Sequence, residues 1–322
     1  VSKRRHNVGL LAIVITALLW GTTGTVATFA PEVGPLAIGA AALGIGGLLQ
    51  AVIAIPALRV AAPQLRANRA KVLLGGLAVG IYPLAFYSSM HLAGVAVGSV
   101  LSLASAPLAS GVLEWLVDRR PLSRWWMLAA GLGVLGSTLL CVSKLQGAAT
   151  ELLPMLAGIG LGLIAGATYA TYSWVVHGLM HARVSRGAAM GSVFGVGGAL
   201  LIPVLLVTGA PLVASGQGFA VAAYMALVPM FLGYLLFGMG LARVSASTAT
   251  TVTLLEPAIA TVLAVLIVGE QLGILGWAGL GVIALVLGIL ALAPANDSAV
   301  PEKRNHKATR MAAVVGSLES DS

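Results

Sequence analysis

The sequence predicts an all-α polytopic membrane protein: ten transmembrane helices as two inverted five-helix repeats. Three observations lead there. The composition belongs to a chain kept in lipid, since 59% of the 322 residues are apolar, 9% are charged and the mean hydropathy is +1.00. A soluble domain carries about 25% charged residues, and so few could not cover a water-facing surface. The apolar residues fall into ten stretches of about 20, the length a membrane helix needs. All but one of the basic residues fall on one side, as the positive-inside rule favours.

The ten stretches run roughly over 8–28, 35–57, 71–90, 95–117, 124–143, 153–176, 187–208, 218–241, 245–268 and 272–293. Lys3-Arg4-Arg5 before the first resembles a signal peptide, but the run stays apolar too long and no A-x-A site follows, so it reads as an uncleaved helix. Most breaks carry turn or charge signals: Pro31 to Pro35, Arg59 to Lys71, Asp118 to Arg124, Lys144 to Pro154, Arg183 to Gly187, and Gly209 to Gly216. The breaks near His91–Gly94 and Arg243 are weak; they are accepted because an unbroken run of about 45 residues is too long for one span. With residues 1–7 in the cytoplasm, every one of the 18 Lys and Arg except Lys144 falls inside. Both ends are then cytoplasmic, and the tail 294–322, mixed in charge and containing Pro, Asn and Ser, is expected to be disordered. The formal net charge of +8 is therefore a matter of topology, and nucleic acid is not expected as a partner. One cysteine, Cys141, excludes an intramolecular disulfide and any multi-cysteine metal site.

The chain divides into 8–146 and 147–293, and the halves align. Pro107 falls on Pro257, with Ala96, Val112, Leu113 and Leu116 on Ala246, Val262, Leu263 and Leu266. After a two-residue shift, Trp125 falls on Trp277 and Gly136 on Gly288. Five helices per half make the second half enter from the opposite face. Such inverted repeats recur in secondary transporters, with the substrate site near the midplane between the halves. The inversion also explains why Arg119-Arg120 follow the fourth helix, inside, while Glu270-Gln271 follow the ninth, outside.

These residues resemble the drug/metabolite transporter (DMT) superfamily, in particular its EamA-type members. The resemblance covers about 8–293 and rests on Trp20-Gly21, on Val244-Ser245-Ala246 leading to Leu255-Glu256-Pro257, and on Gly269-Glu270-Gln271-Leu272. The first half departs from the pattern, with Ala106-Pro107 for Glu-Pro and Arg119-Arg120 for the acidic signature. Roles borrowed for acidic positions therefore concern the second half alone. The resemblance implies a metabolite transporter, often an exporter of amino acids or related small polar compounds, with a cavity between the halves.

An ionisable residue inside the membrane costs about 2.5–3.5 kcal/mol on insertion scales and marks a functional position. Two acidic residues fall within the stretches. Glu256 lies midway along the ninth, placed to bind a substrate amine or hold a coupling proton; the alternative is a structural carboxyl bonded near Pro257. Glu114 lies one turn from the cytoplasmic end of the fourth, a candidate cytoplasmic gate or a side chain that snorkels to water. The ninth stretch is rich in hydroxyls, most of them expected to bond preceding carbonyls. Thr253, three residues before Glu256 on its face, is the one expected in a cavity. Pro257 frees a carbonyl one turn back and is a kink or hinge candidate, with Pro107 as its counterpart. Trp20, Tyr82, Tyr169 and Tyr234 lie well inside their stretches, where they line a cavity or pack in the core. Trp125, Trp126, Trp174 and Trp277 lie near helix ends and read as an interfacial belt.

Glycines at Gly158/Gly162/Gly166, Gly76/Gly80, Gly94/Gly98 and Gly191/Gly195 form small-xxx-small ridges that favour close packing within one bundle. Gly131 to Gly136 and Gly279 to Ala284 match dinucleotide-binding spacings, but without the strand–turn–helix context they carry no such reading. His177 and His181 are spaced i, i+4, with no carboxylate or cysteine near in sequence, and no metal or other cofactor is expected.

The expectation is a secondary transporter that exports small polar or amphipathic metabolites, such as amino acids, by alternating access. Its partners are a small-molecule substrate, the lipid bilayer and, if flux is coupled, protons. No Walker A sequence is present, so ATP is not the direct energy source. The alternative is a membrane-embedded enzyme acting on a lipid or peptide; no H-E-x-x-H motif or paired intramembrane aspartates support it. Short loops and the lack of cysteine pairs fit a bacterial plasma membrane. Monomer and homodimer are both left open.

Overall fold

The computed structural model describes residues 3–27, 29–93, 95–119, 121–144, 152–263, 265–266 and 273–292. The tail expected to be disordered, Glu270-Gln271 and Gly94 lie outside the described residues. In lipid a chain must satisfy its backbone polar groups internally, which leaves helices for an open chain of this composition. All regular structure among the described residues is helical.

In order, the elements are α1 (Lys3–Gly21), α2 (Thr23–Ala27), α3 (Pro35–Ile53), α4 (Ile55–Val60), α5 (Ala62–Ala67), α6 (Arg69–Ala93), α7 (Val95–Leu116) and α8 (Arg124–Lys144). Then follow α9 (Leu152–His181), α10 (Arg186–Thr208), α11 (Ala210–Ala214), α12 (Gly216–Met225), a π-helical segment (Ala226–Leu232), α13 (Gly233–Leu241), α14 (Ala246–Val252), α15 (Leu255–Leu263) and α16 (Ile274–Leu292). Among the described residues, six helical runs are long and apolar enough to cross a membrane: Arg4–Ala27, Pro35–Ile53, Arg69–Ala93, Leu153–His181, Arg186–Thr208 and Gly216–Leu241. The stretches 95–117, 124–143, 245–268 and 272–293 also contain helix. Leu11, Leu73, Leu77, Leu163, Leu206 and Val207 stay exposed on the outer faces, where lipid would cover them.

Local chemistry sets the ends. Pro35, Pro56, Pro63 and Pro211 start helices, where a missing N–H costs nothing. Ser185, Ser215 and Ser245 cap α10, α12 and α14 through their side chains. The ninth stretch is not one helix. Pro257 has no N–H for the carbonyl of Thr253; the Glu256 N–H takes that carbonyl instead, at 2.9 Å, in a tighter turn. The chain thus breaks at Thr253–Leu254, between α14 and α15. Pro107, by contrast, sits inside an α7 that continues past it.

The helix pairing has an internal order. With the ten stretches numbered along the chain, second packs on seventh (α3 on α10) and fifth on tenth (α8 on α16). Third packs on sixth (α6 on α9) as eighth packs on first (α13 on α1). Fourth packs on sixth (α7 on α9) as ninth packs on first (α15 on α1), and third on seventh as eighth on second. Exchanging the halves leaves this pattern unchanged.

The glycine ridges lie at these crossings. A Cβ on Gly158 would meet Ala93 N at 2.6 Å, and one on Gly162 would meet Ser89 Oγ at 2.9 Å. Gly166 faces Ser105, Gly76 faces Val196, and Gly191 and Gly195 face Ala54 and Ala51. Where α3 crosses α10 the backbones themselves approach: a Cβ on Gly198 would lie 2.8 Å from Gly44 O, and one on Gly47 would collide with Phe194 O. Trp126 departs from the interfacial expectation. It is buried, its ring lying where a Cβ on Gly111 would be. Trp174 does reach the surface, where its indole N–H donates to Asp118 Oδ2 at 2.9 Å.

Candidate functional site

Between the halves lies a narrow cavity with about 20 Å³ of room for solvent. α1 contributes Trp20, α2 Thr23, α3 Gly39, Ala42 and Leu43, and α6 Tyr82, Pro83, Phe86 and Tyr87. The second half contributes Met230 of the π segment, Tyr234 of α13 and Glu256 of α15. Four of the sequence candidates therefore meet at one place: Trp20, Tyr82, Tyr234 and Glu256.

Glu256 is the carboxyl group of this lining. Its position follows from the proline break, which puts it in the first turn of α15. Its side chain is 8% exposed, and among the described residues Oε2 is buried with no hydrogen-bond partner. A buried polar atom without a partner calls for an explanation such as an absent ligand or ion. Small residues let the neighbours close in. A Cβ on Gly21 would lie 2.6 Å from Ile259 Cγ2 and 3.2 Å from Glu256 O, so α1 meets α15 through Trp20-Gly21.

The aromatic side chains form one continuous wall. The Trp20 ring lies 4.8 Å from Tyr234 and 5.3 Å from Phe237, centre to centre. Tyr82 stacks on Phe86 at 5.6 Å and tilts against Tyr169 at the same distance. Phe86 meets Tyr87 edge-on at 5.2 Å. Aromatic pairs at such separations add about 0.5–1.5 kcal/mol beyond the area they bury, which favours a preset shape.

Two candidates lie behind the wall rather than on it. Thr253 was expected in the cavity; it is buried, its hydroxyl donating to Thr250 O at 2.9 Å and meeting Tyr169 OH at 2.8 Å. Thr253 is not in the cavity lining, and because the helix breaks at Thr253–Leu254 an unbroken-helix argument fails there. Tyr169 is held by that contact and packs against Trp20 and Tyr82. Glu114 does not snorkel. It is buried, accepting from Ser247 N at 2.9 Å and Ser247 Oγ at 2.8 Å, so it joins α7 to the start of α14. Pro257 lies at the helix break, and Pro107 in an unbroken helix.

The π segment is the feature that sequence reasoning missed. A π turn leaves carbonyls without their usual partners and recurs at functional sites. Here the first half supplies the donors: Trp20 Nε1–H to Pro229 O at 2.9 Å and Gln50 Nε2–H to Phe231 O at 3.0 Å. Thr16 Oγ1 also donates to Gly233 O at 3.1 Å. Pro229, a proline within an apolar stretch, was the available signal. Tyr87 and Tyr172 were missed as well. Tyr172 OH meets Tyr234 OH at 2.8 Å, and its spacing of three from Tyr169 placed it on the same helix face. His177 Nδ1 lies 2.8 Å from Leu241 O, and His181 Nδ1 lies 3.0 Å from His177 O, both backbone contacts.

The match to a known family is made twice along the chain: the model of the EamA-like transporter family matches residues 7–142 and again 156–293. The chain belongs to the EamA-like transporter family. It is thus a member of the drug/metabolite transporter superfamily and an integral membrane protein, and the double match points to internal duplication. Among curated proteins it is similar to the "Uncharacterized transporter YwfM" of Bacillus subtilis (strain 168), 34% identical over 297 residues, which span 90% of this chain and 96% of that one. A crystal structure of another protein matches with a TM-score of 0.69 at 17% identity, covering 89% of this chain and 96% of the other. At that identity the likeness concerns the fold alone. This is a transporter family and not an enzyme family, so the membrane-enzyme alternative falls.

Proposed function

We propose that the chain is a secondary transporter in which ten transmembrane helices, as two inverted five-helix repeats, move a small polar or amphipathic metabolite by alternating access. The observation behind this reading is the cavity itself: both halves line it, and it holds a buried carboxylate with an unpartnered oxygen. Helix pairing that is unchanged when the halves are exchanged supports the repeat. Sites between repeats suit alternating access, since rocking one repeat against the other exposes a fixed site to each side in turn. Trp20, Gln50 and Thr16 bridge the halves at the π segment. That segment is the place where a rocking motion would exchange partners.

The reading includes export across a bacterial plasma membrane, with both ends in the cytoplasm. The basic residues of the breaks support that orientation. The test is flux in proteoliposomes with a labelled panel of amino acids and amines, with and without a pH gradient, beside Glu256→Gln. Saturable flux that the mutation abolishes supports a carrier centred on Glu256. Dependence on the pH gradient adds a coupling proton, and indifference to it makes the protein a facilitator. Absence of saturable flux from folded protein for every member of the panel overturns the reading.

A further inference from the structure

We infer that the cavity selects an organic cation, an aromatic or alkylated amine without a carboxylate, over the corresponding zwitterionic amino acid. This rests on the transport reading only for its consequence; the selection itself concerns binding.

The charge balance of the site carries the argument. Among the described residues lining the cavity there is one carboxylate, Glu256, and no Lys, Arg or His. No Lys or Arg is buried among the residues whose side chains are described. An ammonium group entering the cavity meets Glu256, whose Oε2 has no hydrogen-bond partner among the described residues. A carboxylate entering with it would place a second negative charge near the first, and buried charges are tolerated only when paired.

Three other features point the same way. The positive end of a helix can hold an anion, and α15 begins at this cavity with Glu256 already in its first turn. Several nearby donors are committed: the Trp20 indole N–H to Pro229 O, the Thr23 hydroxyl to Trp20 O, and one hydroxyl of the Tyr172–Tyr234 pair to the other. The hydroxyls of Tyr82 and Tyr87 are neutral and do not balance a full charge. Finally, the faces of Trp, Tyr and Phe attract cations through their quadrupoles, and Trp20, Tyr82, Phe86, Tyr87 and Tyr234 all line the cavity. One carboxylate set in an aromatic wall suits a cation with an apolar body.

The test is equilibrium binding to wild-type protein in nanodiscs with four probes: tryptamine, phenethylamine, tryptophan and phenylalanine. Tryptophan methyl ester is the fifth, because it keeps the amino acid's skeleton and removes its negative charge. The expected result is that each amine binds at least about tenfold more tightly than its amino acid, a difference of about 1.4 kcal/mol. The ester should follow tryptamine. Glu256→Gln, checked for a monodisperse fold, should bring amine and amino acid within about threefold of each other. Equal or tighter binding of the amino acids, an ester that follows tryptophan, or no binding of either amine would each overturn the proposal. The ester comparison uses wild-type protein, so it decides even if the variant misfolds. Flux of the same probes in proteoliposomes separates the two readings. Saturable amino-acid flux without amine selection removes the cation proposal and leaves the transporter. Amine-selective, Glu256-dependent binding without flux of any probe leaves the cation site and removes the transporter.

Discussion

Ser247→Ala tests whether the junction of α7 and α14 is held by Glu114. The serine makes two bonds to that carboxylate, one from its backbone N–H at 2.9 Å and one from Oγ at 2.8 Å, and the alanine removes only the second. Hydrogen bonds to charged groups contribute about 1.5–3 kcal/mol in soluble proteins. Interhelical bonds in membranes average about 0.6 and reach about 1.7 kcal/mol. Both partners are buried, at 6% and 3% exposure, so the upper part of the membrane range applies and the expected loss is about 1.5 kcal/mol. Glu114→Ala should cost more, about 3 kcal/mol, because it also strands the Ser247 N–H in the interior. The double variant should then be little worse than Glu114→Ala alone, giving a coupling of about 1.5 kcal/mol. Reversible unfolding in mixed micelles, monitored by tryptophan fluorescence, gives the four free energies. A coupling below about 0.5 kcal/mol would mean that the two residues act independently, and the junction would have to be held by other contacts.

Further outcomes follow from the site. Trp20→Phe removes the donor to Pro229 O and should lower stability by about 1–3 kcal/mol, with cation binding weakened; thermal unfolding and probe titration check it. Pro257→Ala restores an amide for Thr253 O, so α14 and α15 should join, raising the melting temperature while flux falls. A variant with unchanged flux would separate the break from function. Gly47→Leu drives a side chain into Phe194 O of α10 and should destabilise by more than about 1–3 kcal/mol, seen as loss of the monodisperse peak. Cation binding should weaken as pH falls through the titration of Glu256, because the protonated carboxyl no longer offers a charge. In Glu256→Gln the pH dependence should disappear.

Much of the fold was legible because lipid imposes a single rule, about 20 apolar residues per crossing, and hydropathy reads it directly. Glu256 was legible for the same reason, as a charge where charges are costly. What hydropathy cannot read is which partner a residue meets. Trp126 near a helix end was expected at the interface, but Gly111 on α7 leaves room for its ring inside. Glu114 was expected to reach water, but Ser247, 133 residues away in the chain, supplies two donors at the start of a helix. Thr253 was placed by counting along an unbroken helix, whereas Pro257 had already broken it. The π segment escaped notice because hydropathy counts Pro229 as one more residue of an apolar run, although its missing N–H was the available signal. Its meaning lies in Trp20 and Gln50, which no local pattern connects to it.

The two halves share a frame and divide the labour. Exchange of the halves preserves the helix pairing, yet the positions that bear chemistry do not repeat. Pro107 and Pro257 correspond, but the residue before the first is Ala106, fully buried within continuous α7, and the residue before the second is Glu256, facing the cavity from the first turn of α15. Proline alone therefore does not open a helix. It removes one hydrogen bond, and a helix whose neighbours fill the space can continue around the loss, as α7 does against α9. The second half breaks at a position where Glu256 can use the freed Thr253 carbonyl for its own N–H and still present its carboxylate to the cavity. In return, the first half supplies Trp20 and Gln50 to the opened backbone of the second. Ala106 stands before Pro107 where Glu256 stands before Pro257, and the cavity lining holds one carboxyl group, from the second half. A site with two would hold like charges close together; a site with one can be satisfied by a single cation.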